Sequence, residues 1–474
     1  MVVSIGNSPQ RGSSTLELVV ALAVLAISFS ALVLVSFGQR MVALDAELSG
    51  QAIHFAKNQL TLTRAEASDF NSIINASSTQ QNIFTASLGI LDISPCLKLI
   101  TSSVGYPIAD KEKEVSLSTG ISWPSEMESL GNDCLSSAPA GNWVAPESHL
   151  TIELVDLGIP TDIDVLAGIA YITSNRGLHV VDPATPLTQG FLADGDGFNS
   201  LDVARDDSSN KTYAYLARAT TTAEQLVIAD VTGPDPRLES SRRLNDPAGT
   251  GMEGWRVLYY DQKVYVSTRY NAGRPELYVF DVSNQSNPIE LGNFNPNTSI
   301  YGLAAQKHFV ANAPKLFAYL ATSHNNKELI VLDVTNPGAI SELTGGRTNL
   351  PGNKDGRSLF LLGTKIVIGL ESGAGDDLFV LDNLDPFAVS TGLPIVSSRE
   401  IGGTILDTKA SANYAFLSRV GRGSQVEIWN LGGAEAATPG SIFPIPGIVG
   451  LDIDEDYIYA VGSLRPQLHL IRSD

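Results

Sequence analysis

The pattern of apolar and polar positions changes character three times along the chain. Residues 18–37 read LVVALAVLAISFSALVLVSF, twenty positions without a charge, enough as a helix to cover the roughly 30 Å hydrocarbon core of a bilayer. Over 39–67, Val42, Leu44, Leu48, Ile53, Phe55, Leu60 and Leu62 recur among polar residues with no proline, which predicts an amphipathic continuation of the same helix. Such a helix over 13–67 would be about 80 Å long at 1.5 Å per residue. The periodicity weakens over 68–148. Within that stretch KEVSLSTGISW (113–123) alternates with period two and predicts a strand at the edge of a small sheet resting on the long helix. The run 129–148, rich in Gly, Ser, Ala and Pro, predicts a linker.

From about residue 150 onward self-similarity dominates. One short apolar strand recurs as GLHVVD ending at Asp182, QLVIAD at Asp230, ELYVFD at Asp281, ELIVLD at Asp333, DLFVLD at Asp382, QVEIWN at Asn430 and QLHLIR at Arg472. A second strand precedes each copy, with an aromatic at the equivalent position in Tyr171, Tyr215, Tyr265, Tyr319, Phe416 and Tyr459, Val367 being the exception. Turn-forming Asn, Gly and Pro follow several copies, as in DVSNQSNPIELG and DVTNPGAISEL. Four short strands in each repeat of this length is the period of a β-propeller blade. The last copy ends without a fourth strand, and HLTIELVDL (149–157) precedes the first copy without a partner. The expected fold is therefore a long N-terminal helix in a small α+β region, then an all-β, seven-bladed propeller over 149–474, closed by strand 149–157 pairing with 467–472. A six-bladed ring with one decayed repeat is the competing reading.

Charge narrows the function classes. The chain has 474 residues, 51 acidic and 31 basic side chains and a formal net charge of −20, which argues against a surface built to grip nucleic-acid phosphates. The two cysteines, Cys96 and Cys134, form no zinc site without neighbouring histidines. One disulfide in an oxidising compartment is the expectation, closing a loop of about 38 residues for about 3 kcal/mol, with two buried thiols as the alternative.

Just before the apolar run, Gly12 is followed by Ser13, Ser14, Thr15, Leu16 and Glu17. A lone carboxylate at the mouth of a lipid-facing helix costs several kcal/mol if unpaired. Glycine, glutamate and apolar run together resemble the class III signal of type IV pilin-like proteins. In that pattern Gly12 is the processing glycine and Glu17 the glutamate five residues on, while Ser13 stands where the family has phenylalanine. The resemblance implies a leader over 1–12 cut by a prepilin peptidase and a mature chain starting at Ser13. It also implies that Glu17 neutralises a neighbouring subunit's amino terminus during filament assembly. The strand LDVTNP and its relatives likewise look like the LVIVD-type repeat of bacterial surface proteins.

Candidate chemistry is sparse. His54, His149, His179, His308, His324 and His469 share no metal-ligand spacing, and no nucleophile elbow, zincin motif or phosphate loop is present. No cofactor and no enzyme activity are expected. The run Asp194-Gly195-Asp196-Gly197-Phe198-Asn199 invites a calcium reading, yet Phe198 stands at a donor position, and a turn between repeats is preferred. Loops joining the second and third strands bring Arg176, Arg218, Arg269, Arg274, Lys327, Arg419, Arg422 and Arg465 to one face, with Tyr270 beside them. The functional reading of that face is a mouth for an anionic glycan or polymer on another surface; the plain one is solvated loop tips. Joined to the helix, it gives a minor pilin-like subunit, membrane-held before assembly and then at the cell surface, displaying a propeller for adhesion or recognition. A pseudopilin of a type II secretion or DNA-uptake machine and a membrane-tethered propeller hydrolase are the alternatives.

Overall fold

The computed structural model describes residues 13–66, 73, 79–81, 83–94, 97–108, 111–122, 143 and 145–473. Short stretches at 155–157, 187–188, 207–208, 245–251, 311–312, 384–385, 387–390, 412–413, 422, 432–437 and 455–456 fall outside it. Gly12, Cys96, Cys134 and Arg422 lie outside the described residues, and with them the leader and the disulfide. Ser13 and Glu17 lie in the first helix, their side chains outside the description. Two compact units are present, one of α1 (Ser13–Glu66) with Asn75–Gly89 and Thr101–Thr119, the other completed by the chain from Gly120 on.

Helix α1 is continuous over 54 residues. Its first half exposes Val19, Leu25, Ile27, Phe29, Leu34 and Phe37, so its apolar surface meets no part of the described chain. Its second half behaves differently. Leu48, Ala52 and Ala56 recur at a spacing of four and are buried against Ala86, Val104 and Tyr106, the face that an i, i+4 stripe presents. The two alanines let backbone approach backbone. The sheet is antiparallel, in the order β1 (Thr79–Gln81), β2 (Phe84–Ser94), β3 (Leu97–Ile108), β4 (Lys111–Ser122), which puts the expected strand on an edge. Ser102 donates to Gln59 Oε1 at 2.7 Å, and Lys113 pairs with Asp45.

A mostly β region follows, made of four-stranded antiparallel sheets and consistent with a propeller. Among the described residues these sheets cover 160–193, 198–242, 254–294, 300–348, 356–399 and 403–444, here sheets one to six. Sheet seven joins three strands over 448–472 to β5 (Glu147–Glu153), with Gln467 opposite Glu153 and Arg472 opposite Glu147. The first strand of each sheet packs against the first strands of its two neighbours, and those of sheets seven and one meet, so the array closes on itself.

There is no single core. Seven apolar clusters each lie between two adjacent sheets. The recurring second-strand aromatics fill these wedges: Tyr215 stacks on Tyr259 of the next sheet with centroids 4.9 Å apart, and Tyr265, Tyr319 and Phe416 are fully buried. The aspartate closing the third strand accepts from the backbone N–H two residues on, Asp230 from Thr232 and Asp281 from Ser283, at 3.0 and 2.8 Å, which turns the chain into the outer strand. One expectation fails here. Trp143, read as linker, is fully buried between sheets six and seven, edge-on to Phe416 at 5.4 Å, and its carbonyl accepts from Ser441 Oγ at 2.5 Å.

Candidate ligand site at the centre of the ring

The first strands of the sheets surround a cavity of about 220 Å³. The ladder registers define which of their residues are equivalent. Opposite Tyr171, Tyr215, Tyr265, Tyr319, Val367, Phe416 and Tyr459 stand Asp164, Asp202, Leu258, Ala304, Phe360, Lys409 and Asp452. Sheets six, seven, one and two thus supply charges at this level, whereas sheets three, four and five supply apolar side chains. Two residues nearer the strand entry lie Asp162, Ser200, Arg256, Gly302, Ser358 and Asp407, all lining the cavity.

The charged arc ties sheet to sheet. Asp407 accepts from Leu451 N–H at 3.1 Å, Asp452 from Val165 at 2.7 Å, Asp164 from Val203 at 2.6 Å and Asp202 from Tyr259 at 2.5 Å. Each carboxyl group reaches the strand of the following sheet, across the point where the array closes. Lys409 pairs with Asp452 at 2.8 Å, and Arg256 reaches across sheet two to Asp162 at 3.1 Å while donating to Tyr301 O at 2.9 Å. Desolvation dominates the titration of this cluster. Burial pushes the Asp202 carboxyl up to about 7 and Asp407 up to about 6. Asp164 is raised well above the usual range by burial and by the nearby Asp452 and Asp202 charges. Burial pulls Lys409 down, but Asp452, Asp407 and Asp164 outweigh it, so the ammonium is held above the usual lysine range.

At the entry of all seven first strands the ladder register slips, leaving Thr161, Asn199, Trp255, Tyr301, Arg357, Leu406 and Val449 unpaired. Such bulges re-aim side chains. Here they link neighbouring sheets around the mouth: Thr161 donates to Phe198 O at 2.6 Å, and Asn199 to Gly254 O at 2.8 Å. Trp255 meets Tyr301 edge-on at 6.2 Å, and the Arg357 guanidinium lies 4.1 Å above the Tyr301 ring. Arg269 continues the ladder outward, 3.7 Å above the Trp255 ring.

The loop cations expected at this face separate into two groups. Arg218 is held by Asp194 at 2.6 Å with Glu224 beside it, Arg419 is buried against Glu427, and Lys327 donates to Pro296 O at 2.9 Å. None of these three is a free cation: Asp194 and Pro296 O are loop acceptors, whereas Glu427 lies in the strand paired with that of Arg419. Arg176, Arg269 and Arg465 are exposed, Arg274 is half-buried, and Tyr270 is 50% exposed with its N–H on Ser299 Oγ at 2.9 Å. Asp194, the proposed calcium donor, is engaged by Arg218 and by Asp196 N–H at 3.1 Å, as a turn requires. The central carboxylates and the bulged Trp255, Tyr301 and Arg357 had been missed. Their signal was present, since Asp164, Leu258, Phe360, Lys409 and Asp452 each precede the recurring second-strand position by seven residues.

Residues 264–296 and 316–344 match the LVIVD repeat. Each match runs from the second strand through the third-strand aspartate into the outer strand of sheets three and four. No curated protein matches the chain. Among solved structures, a chain of the mitotic checkpoint complex is similar at 12% identity, covering 71% of this chain and 98% of that one, with a TM-score of 0.49. PorZ, a surface component of the type-IX secretion system of Porphyromonas gingivalis, gives 14% identity over 67% of this chain and 37% of that one at 0.42. A chain of Chaetomium thermophilum Polycomb Repressive Complex 2 gives 7%, 70%, 99% and 0.47. Likeness at this level carries nothing about ligand or activity.

Proposed function

We propose that this chain is a minor pilin-like subunit of a type IV filament that displays a seven-bladed propeller, closed by β5, for adhesion or surface recognition. The observation that supports it is the division of labour within α1: an exposed, uncharged run over 19–37, and a second half whose Leu48, Ala52 and Ala56 seat an antiparallel four-stranded sheet. A bare apolar rod is unstable in water and needs lipid or sister rods around it. On this reading a prepilin peptidase cuts after Gly12, Ser13 becomes the new terminus, and Glu17 pairs with a neighbour's amine. Cys96 and Cys134 then form their disulfide outside the cytoplasm. A domain of this bulk crowds every position of a tight helical array, which favours a sparse, tip-proximal subunit. The test is the intact mass of the chain recovered from the envelope, expected to start at Ser13. Glu17→Gln is expected to leave the chain cut but excluded from sheared filaments, and an uncut chain beginning at Met1 would overturn the reading.

A further inference from the structure

We propose that the mouth of the central cavity, on the side of sheets three to five, binds a carboxylate-bearing sugar unit of an anionic glycan; the proposal rests on reading the ring as a surface-recognition module. The cation that decides the class is Arg269. It is exposed in a protein of net charge −20, and no carboxylate pairs with it among the described residues. Its guanidinium lies over the Trp255 ring at 3.7 Å, a contact that limits its rotamer freedom while leaving its N–H donors free for an anion. One planar fork of this kind matches one planar carboxylate. A densely sulfated polymer would require several such cations, and Arg357, the next one along the rim, is already taken by Glu371 at 2.9 Å.

What lies inward of Arg269 suits a polyol. Tyr301, Ser358 and Asp407 line the cavity together with the apolar Leu258 and Phe360. Aromatic and apolar walls cover the C–H faces of a sugar ring, while a serine hydroxyl exchanges hydrogen bonds with its hydroxyls and a carboxylate accepts from them. At about 220 Å³ the cavity admits one ring and not a chain, so the glycan enters by an end or a branch. Ser358 Oγ is hydrogen-bonded to Thr408 Oγ1 at 2.7 Å and donates to Ile405 O at 3.3 Å, so it can still accept from a sugar hydroxyl without stranding either group.

The experiment uses the full, uncut chain in detergent, so it depends on neither cleavage nor filament assembly, and its failure leaves the filament reading standing. Titration calorimetry compares a hyaluronan hexasaccharide, in which glucuronate alternates with an N-acetylated sugar, with neutral chitohexaose and a sulfated heparin hexasaccharide. The hyaluronan probe is expected to bind at least tenfold more tightly than either. Arg269→Gln is expected to abolish that preference. Tyr301→Ala is expected to weaken hyaluronan binding at least tenfold, with unfolding temperatures confirming that both variants are folded. Binding by none of the probes, equal binding of the neutral probe, preference for the sulfated one, or an unaltered Arg269→Gln would each overturn the proposal.

Discussion

Lys354 and Asp377 show what individual residues contribute far from any ligand. Their side chains are 4% and 0% exposed and pair directly. The ammonium also donates to Gly375 O at 2.6 Å and Asp376 O at 3.0 Å, while Asp377 Oδ2 accepts from Gly402 N–H at 2.7 Å. With both charges satisfied, removing one strands the other in the interior. Lys354→Met is expected to cost about 3–5 kcal/mol, read as a clear fall in thermal unfolding temperature, and adding Asp377→Leu should recover much of it. An unshifted melt of the single variant would mean that water reaches the pair. Neither residue stands out in PGNKDGR or AGDDLF, since ion pairing across a turn has no period. The same holds in part for Arg218: the loop carrying Asp194 was expected at the same face, but that the two pair is shown only by the packing.

At the level of elements the repeat was legible because five of its seven third strands obey one rule, an apolar run closed by an aspartate at the next turn. The helix was legible from its long apolar run and the amphipathic pattern after it, and its described part spans Ser13–Glu66. Trp143 was not, because a single buried aromatic in a Gly- and Pro-rich stretch leaves no periodicity to read. Sheet-to-sheet contacts explain two further residues of the repeat. A Cβ on Gly292, in the outer strand of sheet three, would stand 2.0 Å from Pro337 O in the turn of sheet four. Gly190 meets Pro234 O in the same way between sheets one and two. Gly292→Ala is therefore expected to destabilise by about 1–3 kcal/mol through backbone displacement, with a denaturant midpoint shifted down and an unchanged slope. Strand β5 is tested differently. Removing 147–153 strips sheet seven of its outer strand and uncovers Leu468 and Leu470, both now buried. The unfolding temperature should drop sharply, and synthetic peptide 147–153 added back should restore part of it; an unchanged melt would show that the ring does not depend on that pairing.

Across the whole molecule, three of the inter-sheet carboxyl groups, Asp164, Asp202 and Asp407, make stability a function of pH. Asp202 and Asp407 are raised to about 7 and about 6, and Asp164 is raised further, all first by burial, against about 4 in an unfolded chain. The folded state therefore holds more protons than the unfolded one between these limits, so stability rises as pH falls from about 8 toward 5. Three of the third-strand aspartates, Asp230, Asp281 and Asp333, act in the opposite sense. Asp281 is lowered by its hydrogen bonds with Ser283, and the stability it contributes above the unfolded value is lost as pH falls through its folded one. Lys409 stays charged throughout this window. Unfolding temperature against pH is thus expected to be dome-shaped, highest between about 4 and 6 and several degrees lower at pH 8. Asp202→Asn keeps an oxygen for Tyr259 N–H without a charge to desolvate, so it should raise the temperature at pH 8, leave it nearly unaltered at pH 5, and flatten the neutral limb of the dome. A variant that shifts both ends equally would show that Asp202 acts by shape alone, and the protonated carboxyl group would have no part in holding sheet two to sheet three.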